Sequence, residues 1–331
     1  MKISLYIPCR NAEKFISGCL DSVLAQSLEP CEIIVVNDRS TDLTVEIAKK
    51  FPVKVIDLPS HPGLAAARNA AVKTARCEYI ASVDADCVAE PAWLEKLMNN
   101  LREDGVAGAG GRLVEKHRER LADRWRAAHM RQDWGEERII NPPFLFGCNT
   151  LFRKSALEDA GLYDPMFRSN GEDVDISSRL KEKGYELIYE PSALIYHLKK
   201  DTPLSVLRAD WNWGYISTGE REKFQSPANI VYHNFTNAKY RFLKDVSAGR
   251  RGLIPLDILL FFLHTYWDIA HARKLGLSRA CFRGEKSRIR ALNEFRAHLA
   301  VLSEKRFLEN PDEVGAKSNA RKNTLRSNTK P

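Results

Sequence analysis

Residues 32–42 are Glu-Ile-Ile-Val-Val-Asn-Asp-Arg-Ser-Thr-Asp, and they give the clearest indication of a fold class. The apolar run Ile33–Val36 is too continuous for a strand with one face in water, so we predict a strand buried on both faces. A polar loop follows at once, and a helical pattern begins at about Asp42. A buried strand that leads through a polar loop into a helix is typical of a parallel sheet covered by helices.

The same scheme extends in both directions along the chain. Ile3–Ile7 precedes a helical pattern, and Val53–Ile56, Leu64–Ala75 and Tyr79–Val83 form a further strand, helix and strand. These passages predict an α/β fold with a mostly parallel sheet flanked by helices. Ligands bind such sheets beyond the carboxyl ends of the strands, so the loops after the strands should carry the function.

The loop after the Tyr79–Val83 strand contains two carboxylates, Asp84 and Asp86. They can turn the same way where the strand ends, and hard oxygen ligands of this kind suit magnesium or manganese bound together with substrate phosphates. Aspartates that only cap the following helix would show the same pattern. The loop therefore indicates a metal site only in combination with other motifs.

Two further clusters have both a functional and an ordinary interpretation. Arg68 lies in the small-residue helix 63–70, and its planar guanidinium is well shaped for phosphate, although a solvated arginine is the ordinary alternative. Glu172, Asp173 and Asp175 crowd the start of a predicted helix, where acids are common because they stabilise the helix dipole.

Taken together, these clusters resemble the family 2 glycosyltransferases, which have the GT-A fold. The resemblance covers about the first 200 residues, and its motifs follow the order of the family: VVNDRSTD at 35–42, GLAAARNAA at 63–71, VDAD at 83–86 and GEDVDISSRLKEKGYELIYEPSALIYH at 171–197. The resemblance implies an inverting glycosyltransferase that takes part in polysaccharide biosynthesis. Such an enzyme moves a sugar from a nucleotide-diphosphate sugar, here most simply a UDP-sugar, to an acceptor, usually with a divalent cation.

The resemblance also implies roles for nine residues of this chain. Donor binding falls to Pro8, Arg10, Asp38, Arg68 and Asp84, metal binding to Asp86 and His197, and catalysis to Asp173 and Glu172. Asp86 would be the direct ligand of Mn²⁺ or Mg²⁺, and Asp173 would take the proton of the acceptor hydroxyl. His197 could instead be a core histidine with a backbone hydrogen bond.

The chain departs from the family pattern at two places. Arg39 stands after Asp38, where glycine is common in the family. The arginine-and-tryptophan acceptor motif of processive members is missing after residue 197, which favours transfer of a single sugar. The acceptor could be a glycan, a lipid-linked molecule or a protein.

Composition favours a globular protein with a basic C-terminal part. Of the 331 residues 44% are hydrophobic and 28% charged, and the seven cysteines include no CxxC pair, so we expect reduced thiols and a cytoplasmic protein. Residues 241–331 hold 19 Lys and Arg against 9 Asp and Glu. This charge could attract an anionic membrane, a lipid-phosphate acceptor or nucleic acid. No nucleic-acid-binding module is visible, so we expect an anionic membrane surface and no nucleic acid as partner, with solubility alone as the ordinary alternative.

The change of pattern predicts three regions: a GT-A catalytic domain at 1–200, a helical, basic acceptor or membrane-side region at 201–315, and a disordered basic tail at 316–331.

The apolar stretch Leu253–Leu263 contains Pro255 and Asp257 and is short for a bilayer span, so no transmembrane helix is expected. The charged segment 115–138 is expected to be an exposed helix. Residues 211–215 are a candidate acceptor wall, although packing is commoner for such aromatic residues.

Two alternative functions stay open at this point. Transfer to polyprenyl phosphate would need little base, because the phosphate is itself the nucleophile. A non-catalytic nucleotide-sugar-binding protein on the same fold would need no base at all. The intact set of Asp38, Asp84, Asp86 and Asp173 speaks against the second alternative.

Overall fold

A computed structural model describes residues 2–217 and 227–274, except for the side chains of 214–217 and 273–274. Its strands are β1 (Ile3–Cys9), β2 (Glu32–Asn37), β3 (Lys54–Asp57), β4 (Tyr79–Val83), β5 (Cys87–Ala89), β6 (Val106–Glu115), β7 (Ile139–Ile140), β8 (Asn149–Arg153) and β9 (Glu186–His197). The helices of the sheet region are α1 (Ile16–Leu24), α2 (Thr44–Ala48), α3 (Leu64–Thr74), α4 (Trp93–Asn100), α5 (Leu121–His129), α6 (Lys154–Asp159) and α7 (Glu172–Glu182). After β9 come α8 (Pro203–Ser217), α9 (Pro227–Ser247), a short 3₁₀ turn (Arg251–Leu253) and α10 (Ile254–Lys274).

The nine strands form one sheet in the order β3-β2-β1-β4-β8-β6-β9-β5, and β7 pairs with β9. Strands β1 to β4 are parallel, as predicted, whereas β8 runs antiparallel to both of its neighbours. The sheet is therefore mixed, and the α/β fold class with a C-terminal helical region is confirmed. Because β1, β2 and β4 are parallel, their carboxyl ends meet at one edge of the sheet.

Both faces of β1, β2 and β4 are buried, as their continuous apolar runs predicted. All seven residues of β1 are buried; Leu5 and Ile7 face one core, while Tyr6 faces the other. This alternation is the period of an extended strand. The small residues of α3, such as Ala67 and Ala71, are buried against the second core and let the helix approach the sheet closely.

The expectation of an exposed helix at 115–138 is wrong. The helix of this segment is α5, and its Trp125 is fully buried. The reason is that α8, α9 and α10 supply residues to the same core as Trp125, which the sequence pattern of α5 alone does not reveal. Two of its polar groups have buried partners there: Arg126 forms an ion pair with Asp201, and Trp125 Nε1 donates to Asp257 at 2.9 Å.

The chain changes from α/β to helical after β9, as predicted. Residues Met1–Cys281 form one compact unit, so the domain boundary near residue 200 stays a prediction, and the tail 316–331 lies outside the described residues.

The argument against a long apolar helix was wrong, because Pro255 and Asp257 lie in the first turn of α10 and do not interrupt it. In the described residues, Arg251–Ala272 is long and apolar enough to cross a membrane by its length and composition.

Candidate active site

A cleft of about 390 Å³ opens where β1, β2 and β4 end. Its walls come from the loops after these strands, the start of α3 and the segments before α7 and after β9. It is lined by Pro8, Cys9, Arg10, Asn11, Ala12, Phe15, Asp38, Leu64, Ala67, Asp84, Ala85, Asp86, Arg168 and Lys199. Five of the nine candidate residues therefore share one cleft, at the sheet edge that the sequence predicted.

Asp38 is a buried carboxylate in the wall of this cleft. Its Oδ2 lies 2.6 Å from Nδ1 of His61, and the other ring nitrogen of His61 contacts the guanidinium of Arg10. Since an arginine can only donate, His61 accepts at Nε2 and donates from Nδ1 to Asp38. The second oxygen of Asp38, Oδ1, is buried and has no hydrogen-bond partner among the described residues.

The loops after β1 and β2 are held to each other by side-chain hydrogen bonds. Asn11 Oδ1 accepts from the amide of Thr41 at 2.8 Å, and Thr44 Oγ1 accepts from the amide of Ala12 at 2.7 Å. Arg39 adopts a positive φ of 62°, which costs a non-glycine residue about 1–2 kcal/mol. The glycine that is common in the family would fit this backbone without that cost.

Asp86 and His197, the two predicted metal ligands, lie side by side. Asp86 Oδ2 is 3.2 Å from His197 Nε2, and His197 Nδ1 is 2.7 Å from Glu115 Oε2. The contact arises because β5, just after Asp86, pairs with the end of β9. Burial lowers the pKa of His197, but its bonds to both carboxylates outweigh burial and raise that pKa to about 9. Burial also raises the pKa of Asp86, and the hydrogen bond and charge of His197 reverse this, so the net pKa is lowered.

This donor set fits a divalent cation. A carboxylate oxygen and an imidazole nitrogen are both ligands of manganese, and magnesium prefers the oxygen. Glu115 would accept the Nδ1–H of His197 and so leave Nε2 free for a metal, which is the usual arrangement behind a ligating histidine. Glu115 Oε1 is buried without a partner among the described residues, so this carboxylate has spare acceptor capacity.

Arg68 does not line the cleft, which corrects the expectation of direct contact with the donor. It is 1% exposed, and its Nη1 donates to Ser82 Oγ at 2.7 Å. Nη2 lies 3.4 Å from Asp84 Oδ1, and Nε donates to Glu172 Oε1 at 3.1 Å. Arg68 therefore supports Asp84 from the interior of the protein. Burial raises the pKa of Asp84 in spite of this cation.

Glu172, a predicted catalytic residue, is also buried. It is 2% exposed and turned to Arg68, so the geometry gives it a role in holding Arg68 and not in contacting a substrate. Burial and the neighbouring charge of Asp173 raise the pKa of Glu172 to about 7.

Asp173 is half-buried at the start of α7 and is held by backbone amides. Its Oδ2 accepts from the amide of Gly147 at 3.1 Å, and its Oδ1 from that of Val174 at 2.9 Å. Burial nevertheless raises the pKa of Asp173. A Cβ at Gly147 would lie 2.8 Å from Arg68 Nη2 and 3.3 Å from Asp173 Cβ, so a glycine is needed between the two side chains.

Sequence patterns gave no indication of two cations in the cleft, Arg168 and Lys199. Arg168 lies in the segment before α7, and its backbone carbonyl accepts a hydrogen bond from the amide of Leu64 at 2.7 Å. Gly63 permits this approach, since it has a φ of 97° and a Cβ there would lie 2.4 Å from Arg168 O. The sequence signal that could have suggested a close approach is the glycine itself, directly before α3.

The candidate acceptor wall does not hold for Trp211. This residue is 7% exposed, and its Nε1 donates to Asp268 at 2.8 Å, while Arg208 stacks on its ring at 4.4 Å. It is a packing residue of the C-terminal helices. The side chains of residues 214 and 215 lie outside the described part of the chain.

A second group of potential metal ligands lies among these helices, away from the predicted pair. Ligand atoms of His129, Asp245 and Asp257 lie within 4.8 Å of one another. Arg250 donates to Asp245 and Trp125 to Asp257, both at 2.9 Å, so protein donors already serve both carboxylates. We interpret the group as a buried polar network that joins α5 to α9 and α10.

The comparison with known families agrees with this architecture. Residues 4–161 match the model of the family described as Glycosyl transferase family 2. This match covers just under half of the chain and supports a family 2 glycosyltransferase. Among curated proteins, the chain is 28% identical over 221 residues to poly-beta-1,6-N-acetyl-D-glucosamine synthase of Staphylococcus aureus strain COL and 30% identical to that of Staphylococcus epidermidis. The alignment covers 60% of this chain and 50% of each relative, so the chain spans about half the length of these proteins.

Solved structures confirm the fold class of this chain. S. aureus TarS 1–349 superposes with a TM-score of 0.50 at 17% identity, covering 79% of this chain and 90% of that one. GalNAc-T7, crystallised with UDP, GalNAc and Mn²⁺, gives a TM-score of 0.50 at 18% identity, covering 66% of this chain and 51% of that one. At these identities the likeness concerns the GT-A-like fold alone.

Proposed function

We propose that this protein is an inverting glycosyltransferase that moves a single sugar from a nucleotide-diphosphate sugar, most simply a UDP-sugar, to an acceptor hydroxyl. The acceptor is a glycan, a lipid-linked molecule or a protein, and the enzyme works in the cytoplasm. The observation that carries the proposal is the convergence of Asp38, Asp84 and Asp86, from the ends of two parallel strands, on one cleft that also holds three cationic side chains.

The nucleotide end of the donor would bind at Asp38. Its unpartnered Oδ1 is a buried acceptor, and leaving such an atom unpaired costs about 1–3 kcal/mol. An N–H of a nucleotide base would satisfy it, while the backbone near Pro8 lines the same wall. His61 fixes the carboxylate through its 2.6 Å contact, so the acceptor is held in one orientation before the ligand arrives.

The diphosphate would be bound by the cations of the cleft. Arg10, Arg168 and Lys199 line it, and they take the direct role that the resemblance gave to Arg68. Asp84 and Asp86 would repel a bare diphosphate, so binding requires a positive charge between these acids and the phosphates.

Asp86 and His197 would hold Mn²⁺ or Mg²⁺, with Glu115 orienting the imidazole. A divalent cation bound there supplies Lewis-acid stabilisation of the charge that grows on the departing diphosphate. Arg68 keeps Asp84 in place from the buried side and offsets part of its charge.

Asp173 would act as the base that takes the proton of the acceptor hydroxyl. Two backbone amides fix its orientation, and its raised pKa makes it a stronger base than an ordinary aspartate. The acceptor oxygen then attacks the anomeric carbon from the face opposite the diphosphate, and the configuration at that carbon is inverted.

The relatives suggest which probes to use first. One group is named for a polymer of N-acetylglucosamine, and a fold neighbour was crystallised with UDP, GalNAc and Mn²⁺. UDP-N-acetylhexosamines with Mn²⁺ are therefore the first donors to test. Product length decides between single-sugar transfer and polymer synthesis, and we expect one added sugar.

The deciding experiment is a screen of nucleotide sugars for turnover by the purified chain with Mn²⁺, by wild type and by Asp38→Asn. Asp57→Asn is the matched control, because Asp57 ends the neighbouring strand β3 and does not line the cleft. We expect turnover of one donor class, at least about tenfold weaker donor binding in Asp38→Asn, and near-normal binding in the control. No turnover of any donor, or equal binding in both variants, would overturn the proposal.

A further inference from the structure

Helices α9 and α10 expose an unusual amount of apolar surface. Most of the large apolar side chains that are exposed in the described residues lie on these two helices: Val231, Tyr232, Phe235, Tyr240, Phe242, Leu243 and Val246 on α9, and Ile258, Leu259, Phe262 and Tyr266 on α10. Phe262 and Tyr266 are 61% and 66% exposed. A contiguous apolar surface of this kind marks an interaction site and not chance exposure.

The exposed side chains follow helical spacing, so they form stripes. On α9, Val231 and Phe235 lie one turn apart, and Phe242 and Val246, again one turn apart, continue the same face two turns further on. On α10, Ile258, Phe262 and Tyr266 recur every four residues. Residues three or four apart share one face of a helix. Each helix therefore presents one apolar stripe to solvent.

Other faces of the same helices are packed inside the protein. Ile230 and Ala238 of α9 and Leu256 and Leu260 of α10 are buried, and three of these four belong to the core that contains Trp125. The inner and outer stripes are therefore separate surfaces, and the core packing does not explain the outer one.

Helices α9 and α10 and the turn between them form a hairpin, in which the acidic and the basic side chains differ in exposure. The acids of residues 227–272 are Asp245, Asp257 and Asp268, and all three are buried and bonded to protein donors. The exposed or half-buried charged side chains are all basic: Lys239, Arg241, Lys244, Arg250 and Arg251. Two of them, Arg241 and Arg250, also pair with the buried Asp210 and Asp245. The surface beside the apolar stripes therefore carries positive charge without exposed acids.

We propose that the exposed face of α9 and α10 docks on an anionic lipid bilayer. Apolar and aromatic side chains enter the boundary between headgroups and acyl chains, and the flanking lysines and arginines contact anionic headgroups. Tyrosines such as Tyr232 and Tyr266 suit this boundary because they have an apolar ring and a polar tip.

The hairpin lies on the membrane and does not cross it. Crossing would place α10 in lipid on all sides, yet Asp257 and Asp268 are bonded to Trp125 and Trp211 of the packed helices α5 and α8. His264 contacts the carbonyl of Leu207 at 3.1 Å in the same interface. Breaking these buried contacts to insert α10 would leave polar groups unpaired in hydrocarbon.

A bilayer fits this face better than a second copy of the chain. An isologous dimer would bring the same lysines and arginines together from both copies, with no exposed acid on α9 or α10 to pair them. Anionic headgroups neutralise them directly. The proposal does not depend on the sugar-transfer activity, because it concerns a surface outside the cleft.

The test is flotation of the full-length protein with vesicles of phosphatidylcholine alone and of phosphatidylcholine mixed with an equal amount of phosphatidylglycerol. Two double variants alter the face: Phe235→Ser with Phe262→Ser, and Lys239→Glu with Arg251→Glu. The matched control is Leu43→Ser with Met166→Ser, which removes two apolar side chains that are 59% and 60% exposed on other surfaces. Thermal unfolding checks that every variant is folded.

We expect wild type and control to float with the anionic vesicles, less with neutral ones, and less as salt rises. Each double variant of the face should lose at least about tenfold in partitioning. Flotation of both variants at the wild-type level would assign lipid binding to residues 275–331 and overturn the proposal. So would a failure of the wild type to float, or a dimer in sedimentation that the variants convert to monomer without vesicles.

Discussion

The guanidinium of Arg68 joins Asp84, 3.4 Å away, to Glu172, 3.1 Å away. Asp84 belongs to the cleft, whereas Glu172 begins α7 and precedes the candidate base Asp173. One buried arginine thus connects the cleft to the start of α7. Arg68 reaches the cleft through Asp84 and the start of α7 through Glu172, because its own side chain is buried.

The first prediction concerns this arginine. Arg68→Met leaves the buried carboxylate of Glu172 and the half-buried carboxylate of Asp84 without their cation. We therefore expect a loss of about 3–5 kcal/mol in the free energy of unfolding, measured in urea. Arg76→Met is the control, because Arg76 pairs with Glu32 while its side chain is 79% exposed, and it should cost at most about 1 kcal/mol. Equal losses in the two variants would contradict the role of Arg68.

The second prediction concerns Gly147. Gly147→Ala places a Cβ 2.8 Å from Arg68 Nη2, so Arg68 or Asp173 must shift. We expect about 1–3 kcal/mol of destabilisation and a transfer rate lower by about tenfold or more, with donor binding less affected. Gly252→Ala is the control, since nothing lies within 4 Å of its Cβ position. A Gly147→Ala enzyme as active as the control would show that the space is not needed.

The third prediction concerns His61. His61→Ala removes the hydrogen bond that orients Asp38, so KM for the donor should rise about tenfold or more while kcat changes little. His117→Ala is the control. It removes only the 3.6 Å contact of His117 with the exposed Glu119, so it should behave like wild type. A change in kcat alone would place His61 in the chemical step instead of donor binding.

The fourth prediction concerns the metal. Calorimetry of UDP binding with and without Mn²⁺ should show tight binding only with the metal, and Asp86→Ala should lose this difference together with turnover. Asp57→Asn should keep both. Equal affinity for UDP in the presence and absence of Mn²⁺ would rule out the metal assignment.

The fifth prediction is a pH dependence. Burial raises the pKa of Asp173, and a base works only when it is deprotonated, so kcat/KM should fall with decreasing pH at a higher pH than an ordinary aspartate allows. Glu172, with a pKa raised to about 7, could give a similar profile. Glu172→Gln keeps an acceptor for Arg68 and should leave the midpoint in place. A midpoint near the ordinary value of about 4 would contradict the prediction.

The sequence was sufficient for the parts of the site that follow from strand ends. Asp38, Asp84 and Asp86 were predictable because each comes directly after a buried strand, and the carboxyl ends of parallel strands share one edge. The partnership of Asp86 with His197 depended on the family resemblance, because the pairing of β5 with β9 brings together residues 111 positions apart.

Residues that reach the site through long-range packing could not be predicted. Arg168 enters the cleft because a loop docks on the start of α3, about 100 residues earlier in the chain. Arg68 was expected to face the donor, since a helix pattern does not show that Tyr6, Ser82 and Glu172 enclose its side chain. The burial of α5 was missed for the same reason, because its partners lie in α8 to α10.

Asp173→Asn tests the central claim most directly, because asparagine is about as good a helix cap as aspartate but cannot take a proton. Transfer to a hydroxyl acceptor and binding of the donor are measured on the same folded variant. The account predicts a transfer rate lower by about 10² or more with donor binding unchanged. Transfer to the hydroxyl acceptor near the wild-type rate would contradict it. Transfer to a polyprenyl phosphate at that rate would indicate that the phosphate is the nucleophile and needs no base.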